Sequence, residues 1–179
     1  NLLTSFIGLV SFVIYVAAYT PMKVRTAWNT AVGAISGALP PVMGWTAVRG
    51  RVDLEAYVLF GILFLWQLPH FFAISWRLRE DYTRGGFHML SRRDHHGAWS
   101  GVLMGAFCVV LLPVSLMLTM TGITGRLYLV GALVLGLAYL AYSTVFAVHR
   151  TDQAARKVFL MSLLYIPALL MLMVVDRIS

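Results

Sequence analysis

The residues best suited to chemistry lie together in WQLPHFFAISWRLREDYTRGG, Trp66 to Gly86. Gln67 and His70 stand inside apolar sequence, and Arg77, Arg79, Glu80, Asp81 and Arg84 follow at once. Carboxylates such as Glu80 and Asp81 are the hard oxygen donors that Mg2+ takes when it bridges a protein to a diphosphate. Arginines add forked donors to phosphate oxygens. Such a metal, with nearby cations, would stabilise the charge that develops as a diphosphate leaves. The other reading of the same run is a solvated, positively charged loop after a span. Lys23 and Arg25 end an earlier apolar run and could reach the same anion, while Arg84-Gly85-Gly86 offers flexible amides or an ordinary turn.

Helical spacing links the apolar and charged parts. At 100° per residue, Gln67, His70, Ile74, Arg77 and Asp81 fall within an arc of about 80°, provided one helix continues through Asp81. Pro69 introduces a bend. Polar side chains at membrane depth are costly and face a bundle interior or a water-filled cavity; bonding to neighbouring helices is the alternative for Gln67 and His70. His88, His95 and His96 share the following loop without a spacing that argues for zinc. Cys108 is the single cysteine, which excludes a disulfide framework or a thiolate metal site and leaves a small core residue.

The elements that must position these residues follow from composition. The chain is 60% hydrophobic and 12% charged, with mean hydropathy +0.80, against roughly 45–50% apolar and 25% charged for soluble domains. Apolar segments, free of charge except for Glu55 at the start of the third, run about Leu2 to Thr20, Asn29 to Val48, Leu54 to Trp76, Ala98 to Thr121, Leu127 to Val148 and Val158 to Val175. Each is near the roughly 20 residues that cross a hydrocarbon core. They are too long and too continuously apolar for barrel strands. The expected fold class is therefore all-α, a polytopic transmembrane bundle of six spans forming a single membrane domain over residues 1–179.

Asn29, Gly33 and Gly37 share one helix face, where small residues let helices approach. Pro40 and Pro41 remove two amide donors, so a kink or break is expected there, with a cavity beside it. The methionines, among them Met89, Met104 and Met161, read as membrane packing, and Trp45, Trp66, Trp76 and Trp99 chiefly as interface anchors.

Of the 14 basic residues, ten fall in the first, third and fifth connections: Lys23, Arg25, Arg77, Arg79, Arg84, Arg92, Arg93, Arg150, Arg156 and Lys157. Four, Arg49, Arg51, Arg126 and Arg177, fall on the opposite side. That bias predicts the ten-residue face toward the cytoplasm or matrix. The net charge of +7 needs no nucleic acid, because topology and an anionic ligand account for it. The start at Asn1, with no basic region before the apolar run, argues against a signal peptide and for the C-terminal part of a longer protein.

The stretches YTPMKVRTAWNTAVGAISGALPPVMGWTAVRG, Tyr19 to Gly50, and WQLPHFFAISWRLREDYTRGGFHML, Trp66 to Leu90, closely resemble the heme O synthase (protoheme IX farnesyltransferase) branch of the UbiA-type intramembrane prenyltransferases. The resemblance implies nine transmembrane helices around a central cavity, of which this chain would supply the last six. It implies transfer of farnesyl from farnesyl diphosphate to a vinyl group of heme b, with water added, giving heme O. Heme b is then substrate rather than cofactor, and magnesium rides on the diphosphate. The family's first aspartate-rich motif is absent, so activity of this stretch alone is not expected.

Carried over, Asp81 is the second acidic motif and the magnesium–diphosphate contact, joined by Glu80. Lys23, with Arg77 or Arg84, would balance the leaving charge. The family lysine is commonly followed directly by arginine; here Val24 intervenes before Arg25, and Lys23 is the residue carried over. Asn29 would line the cavity near its polar mouth, with Gln67, Tyr19 and Tyr82 as further substrate contacts. His70 would meet the heme, by ligating iron or by handling a proton. Implied partners are the lipid bilayer and heme-handling or oxidase-assembly proteins, in a bacterial cytoplasmic or mitochondrial inner membrane. A quinone precursor or chlorophyll-like ring is the rival acceptor, and a transporter or channel subunit is the rival from another class.

Overall fold

A computed structural model describes residues 1–92 and 94–178, without the Arg92 side chain. Arg93 and that side chain, counted above among the basic residues of the third connection, lie outside the described residues. Lipid offers backbone groups no partners, so each span closes its own hydrogen bonds as a helix. The first span comprises α1 (Leu2–Val13), a π-helical segment (Ile14–Tyr19) and one further turn, α2 (Thr20–Met22). Pro21 gives the wider turn a physical cause: it lacks an amide, and its ring needs the space that a carbonyl four residues back would take in an α-helix. The other spans are α3 (Asn29–Arg49), α4 (Leu54–Arg77), α6 (Ala98–Met120), α7 (Arg126–His149) and α8 (Asp152–Val175). A short helix, α5 (Arg79–Arg84), and a 3-10 turn (Leu90–Arg92) lie in the third connection. All six spans are long and apolar enough to cross a membrane.

Three sequence expectations need correction. α3 runs on through Pro40 and Pro41 as one helix, so of the expected kink or break the break does not occur. The Ser36 carbonyl that Pro40 cannot satisfy instead accepts the Ser11 hydroxyl of α1 at 3.0 Å, so one proline supplies a tie between helices. α8 begins at Asp152 rather than Val158. Thr151 caps it by accepting from the Ala154 amide at 3.2 Å, and Arg156 and Lys157 ride on its first two turns. Finally, α4 ends at Arg77, where Leu78 leaves helical geometry at φ −104° and ψ 22°. The continuous helix through Asp81 does not form.

α4 is the hub, packed against α3, α6 and α8, while α6, α7 and α8 pack in succession. α1 packs on α3 and buries no residue. The odd-numbered connections share one face of the bundle. The His88 amide donates to the Lys23 carbonyl at 2.9 Å, and Arg79 pairs with Asp152 at 2.7 Å. At the opposite end Asp53 opens α4 beside Arg49 and Arg51. Desolvation works against its charge, but the Trp45 indole and the two arginines outweigh this and hold the carboxyl below its usual range.

Candidate active site

α3 presents Asn29, Gly33 and Gly37 to a half-open cavity of about 650 Å³, walled mainly by α1, the π-helical segment, α3 and α4. At two of these positions a side chain from another element comes close to the glycine Cα. A Cβ at Gly33 would stand 2.9 Å from the Tyr19 ring, and one at Gly37 would strike the Gln67 amide. Asn29, fully buried, donates from Nδ2 to the Thr26 carbonyl at 2.7 Å and the His88 carbonyl at 3.1 Å. It thereby joins the start of α3 to the third connection. The π-helical segment contributes Tyr15 and Tyr19, whose rings stand 5.2 Å apart. The widened turn brings both rings to the wall.

The 80° arc expected on α4 divides into two faces. Gln67, Phe71 and Ile74, within about 60° of one another, line the cavity. Gln67 donates to the Leu63 carbonyl at 3.0 Å and, across to α3, to the Ala34 carbonyl at 3.4 Å. Trp66, His70 and Arg77, within about 40°, face α8. His70 Nδ1 lies 2.7 Å from Ser162 Oγ, and Arg77 sits over the Phe159 ring at 5.6 Å. His70 and Arg77 are therefore not in the cavity wall, as a single stripe would have had them.

At the loop face Tyr82 and Met89 complete the lining. Lys23 reaches over the Phe87 ring at 5.7 Å. Asp81 adjoins Tyr82 on α5, yet its carboxylate is exposed and pairs with Arg84 at 2.6 Å instead of entering the cavity. Glu80 is exposed beside it. An exposed pair of this kind is worth about 0–1 kcal/mol, so Asp81 can exchange Arg84 for another cation at little cost. Among the described residues no three His, Cys, Asp or Glu side chains gather as a ready-made metal cage. One or two carboxylates completed by phosphate oxygens and water is the usual manner of holding magnesium, and Asp81 with Glu80 fits that donor set.

The sequence passed over Tyr15, Phe71 and Ser162. All three fall inside the apolar segments, where nothing in their type or spacing set them apart. A hydroxyl about three turns into α8, in a chain that also carries an unexplained intramembrane histidine, was the available signal.

Residues 1–166 match the UbiA prenyltransferase family. The chain belongs to that family. UbiA relatives include the protoheme IX farnesyltransferase of Solibacter usitatus, 47% identical over 177 residues, covering 99% of this chain and 61% of that protein. The mitochondrial protoheme IX farnesyltransferase of Homo sapiens is 43% identical over 174 residues, covering 97% and 39%. The chain thus spans about three fifths of the length of the bacterial UbiA relatives it matches. A solved structure concerned with digeranylgeranylglyceryl phosphate synthase in membranes aligns with a TM-score of 0.82 at 15% identity, over 98% of this chain and 62% of that one. That likeness establishes the shared helical membrane fold.

Proposed function

We propose that the protein transfers a farnesyl group from farnesyl diphosphate to a vinyl group of heme b, water completing the product as heme O. The observation that carries this reading is the cavity: an apolar hollow with aromatic walls, ending at a loop face where Asn29 and Tyr82 adjoin Lys23, Asp81 and Arg84. Its relatives' names supply the acceptor. When bound, magnesium supplies positive charge against which diphosphate departs, and Asp81, with Glu80, would hold it.

Lys23 and Arg84 meet the diphosphate at the loop face, Arg77 being turned toward α8. As the carbon–oxygen bond breaks, its electron pair leaves with the diphosphate and the farnesyl carbon gains allylic cation character. Tyr15, Tyr19 and Phe71 keep water from that carbon. The vinyl π electrons form the new carbon–carbon bond, leaving a cation on the carbon beside the porphyrin. A water oxygen takes that position and releases a proton. Both substrates are amphipathic, so tails enter from lipid while diphosphate and propionates remain at the basic face. We read the six helices as part of one membrane domain. The odd connections face the cytoplasm or matrix, where heme-handling or oxidase-assembly proteins would deliver and collect heme.

The test offers the full-length protein farnesyl diphosphate with either heme b or 4-hydroxybenzoate. Prenylated, hydrated heme is expected, and prenylation of the benzoate alone would defeat the proposal. Asp81→Ala is expected to lose turnover, on the order of a hundredfold or more, while inserting and accumulating normally. Wild-type turnover in that variant would remove Asp81 from the site.

A further inference from the structure

We propose that His70 Nε2 is the axial ligand by which the iron of the heme acceptor is held, with Ser162 as its positioning residue. This deepens the function proposed above and rests on heme being the acceptor. The Ser162 hydroxyl donates to the Phe159 carbonyl at 2.5 Å. A hydroxyl has one proton, so the 2.7 Å contact between Ser162 Oγ and His70 Nδ1 is made with the imidazole proton: Nδ1–H donates and Oγ accepts. The neutral ring then carries its lone pair on Nε2, the form in which imidazole ligates a metal, with the other nitrogen fixed by its hydrogen bond. Among the described residues Nε2 has no hydrogen-bond partner.

The surroundings suit a porphyrin. His70 is stacked 5.2 Å from Trp66 and 5.2 Å from Phe159, with Phe71 edge-on at 5.6 Å. The Trp66 indole donates to the Ser162 carbonyl at 2.8 Å, so the residue that orients the ring is itself held. Arg77 stands two turns further toward the loop face, about 10 Å along the axis. Its exposed guanidinium over Phe159 is a forked donor for a propionate. Phe71 belongs both to this aromatic group and to the cavity wall, so a heme ligated at His70 lies beside the farnesyl chain. A histidine that merely packed α4 on α8 would need the Ser162 bond alone.

The experiment titrates ferric heme b into the full-length protein in nanodiscs and records optical and electron paramagnetic spectra, then the iron–histidine stretch after reduction. Wild type is expected to show imidazole ligation. His70→Gly is expected to lose that signature and to bind heme at least tenfold more weakly, with free imidazole restoring the spectrum, a rescue that also shows the variant is folded. Ser162→Ala is expected to keep the ligand, weaken heme binding about tenfold and lower the stretching frequency as the Nδ1–H bond is lost. Identical spectra for wild type and His70→Gly would overturn the ligation while leaving heme prenylation standing. A wild-type protein that binds no heme and prenylates only 4-hydroxybenzoate would overturn both.

Discussion

Gly37 and Gln67 occupy the same space from opposite walls of the cavity, and that shared space is testable. Alanine at a helical glycine ordinarily gains about 1 kcal/mol of helix propensity. Here the added Cβ meets the Gln67 amide, which is held by the Leu63 and Ala34 carbonyls. The flexible amide yields rather than the backbone, so Gly37→Ala is expected to change stability little and to push the amide into the cavity, which under the proposed function would raise KM for farnesyl diphosphate. Removing the obstacle with Gln67→Ala should restore room, giving a coupling of about 0.5–3 kcal/mol in kcat/KM across the four proteins. Strict additivity would show that the two residues do not meet. The sequence placed Asn29, Gly33 and Gly37 on one face correctly. It could not tell that the face lines a hollow, because small residues serve close helix packing equally well. Asp81 is the converse case: its type suggested an ion site, but its outward pairing with Arg84 depends on where α4 stops.

At the scale of elements, α6 and α7 cross at Gly101. A Cβ there would lie 2.7 Å from the Ala147 Cα, and backbone cannot move aside as a side chain can. Gly105, one turn on, has nothing within 4 Å of its would-be Cβ. The same substitution on the same helix should therefore have opposite signs. Gly101→Ala is expected to cost about 1–3 kcal/mol through overpacking, and Gly105→Ala to gain up to about 1 kcal/mol, both read from denaturant unfolding in detergent. Shifts in one direction for both would deny the close crossing. The spans themselves were legible because hydrocarbon thickness fixes their length. Their ends were not, because charged residues are tolerated on the first turns at the membrane surface. Asp152 to Lys157 thus read as loop, although Thr151-Asp152 carries a helix-start signature. The division of α4 was also hidden: the arc from Gln67 to Arg77 is continuous in sequence, and only the placement of α3 on one side and α8 on the other separates cavity wall from helix contact.

For the whole molecule, the charge bias gives an expected sidedness. Residues of the first, third and fifth connections are joined by the His88–Lys23 and Arg79–Asp152 contacts, so the described basic residues counted for those connections gather at one end of the bundle. Shifting the start of α8 leaves this count intact, since Arg156 and Lys157 stay within about two turns of that end. Moving such a surplus across a bilayer is disfavoured, so this end is expected to face the cytoplasm or matrix, the side from which the proposed farnesyl diphosphate would present its water-soluble face. The native thiol, Cys108, is buried in α6 and should be silent to a membrane-impermeant maleimide, leaving introduced cysteines to report. Thr83→Cys, exposed on α5, is expected to label only from the cytoplasmic or matrix side in sealed vesicles. Arg51→Cys, exposed in the connection between α3 and α4, is expected to label only from the other. Labelling of Thr83→Cys from the outside would invert the orientation, and with it the compartment from which the proposed substrates would present their charged ends.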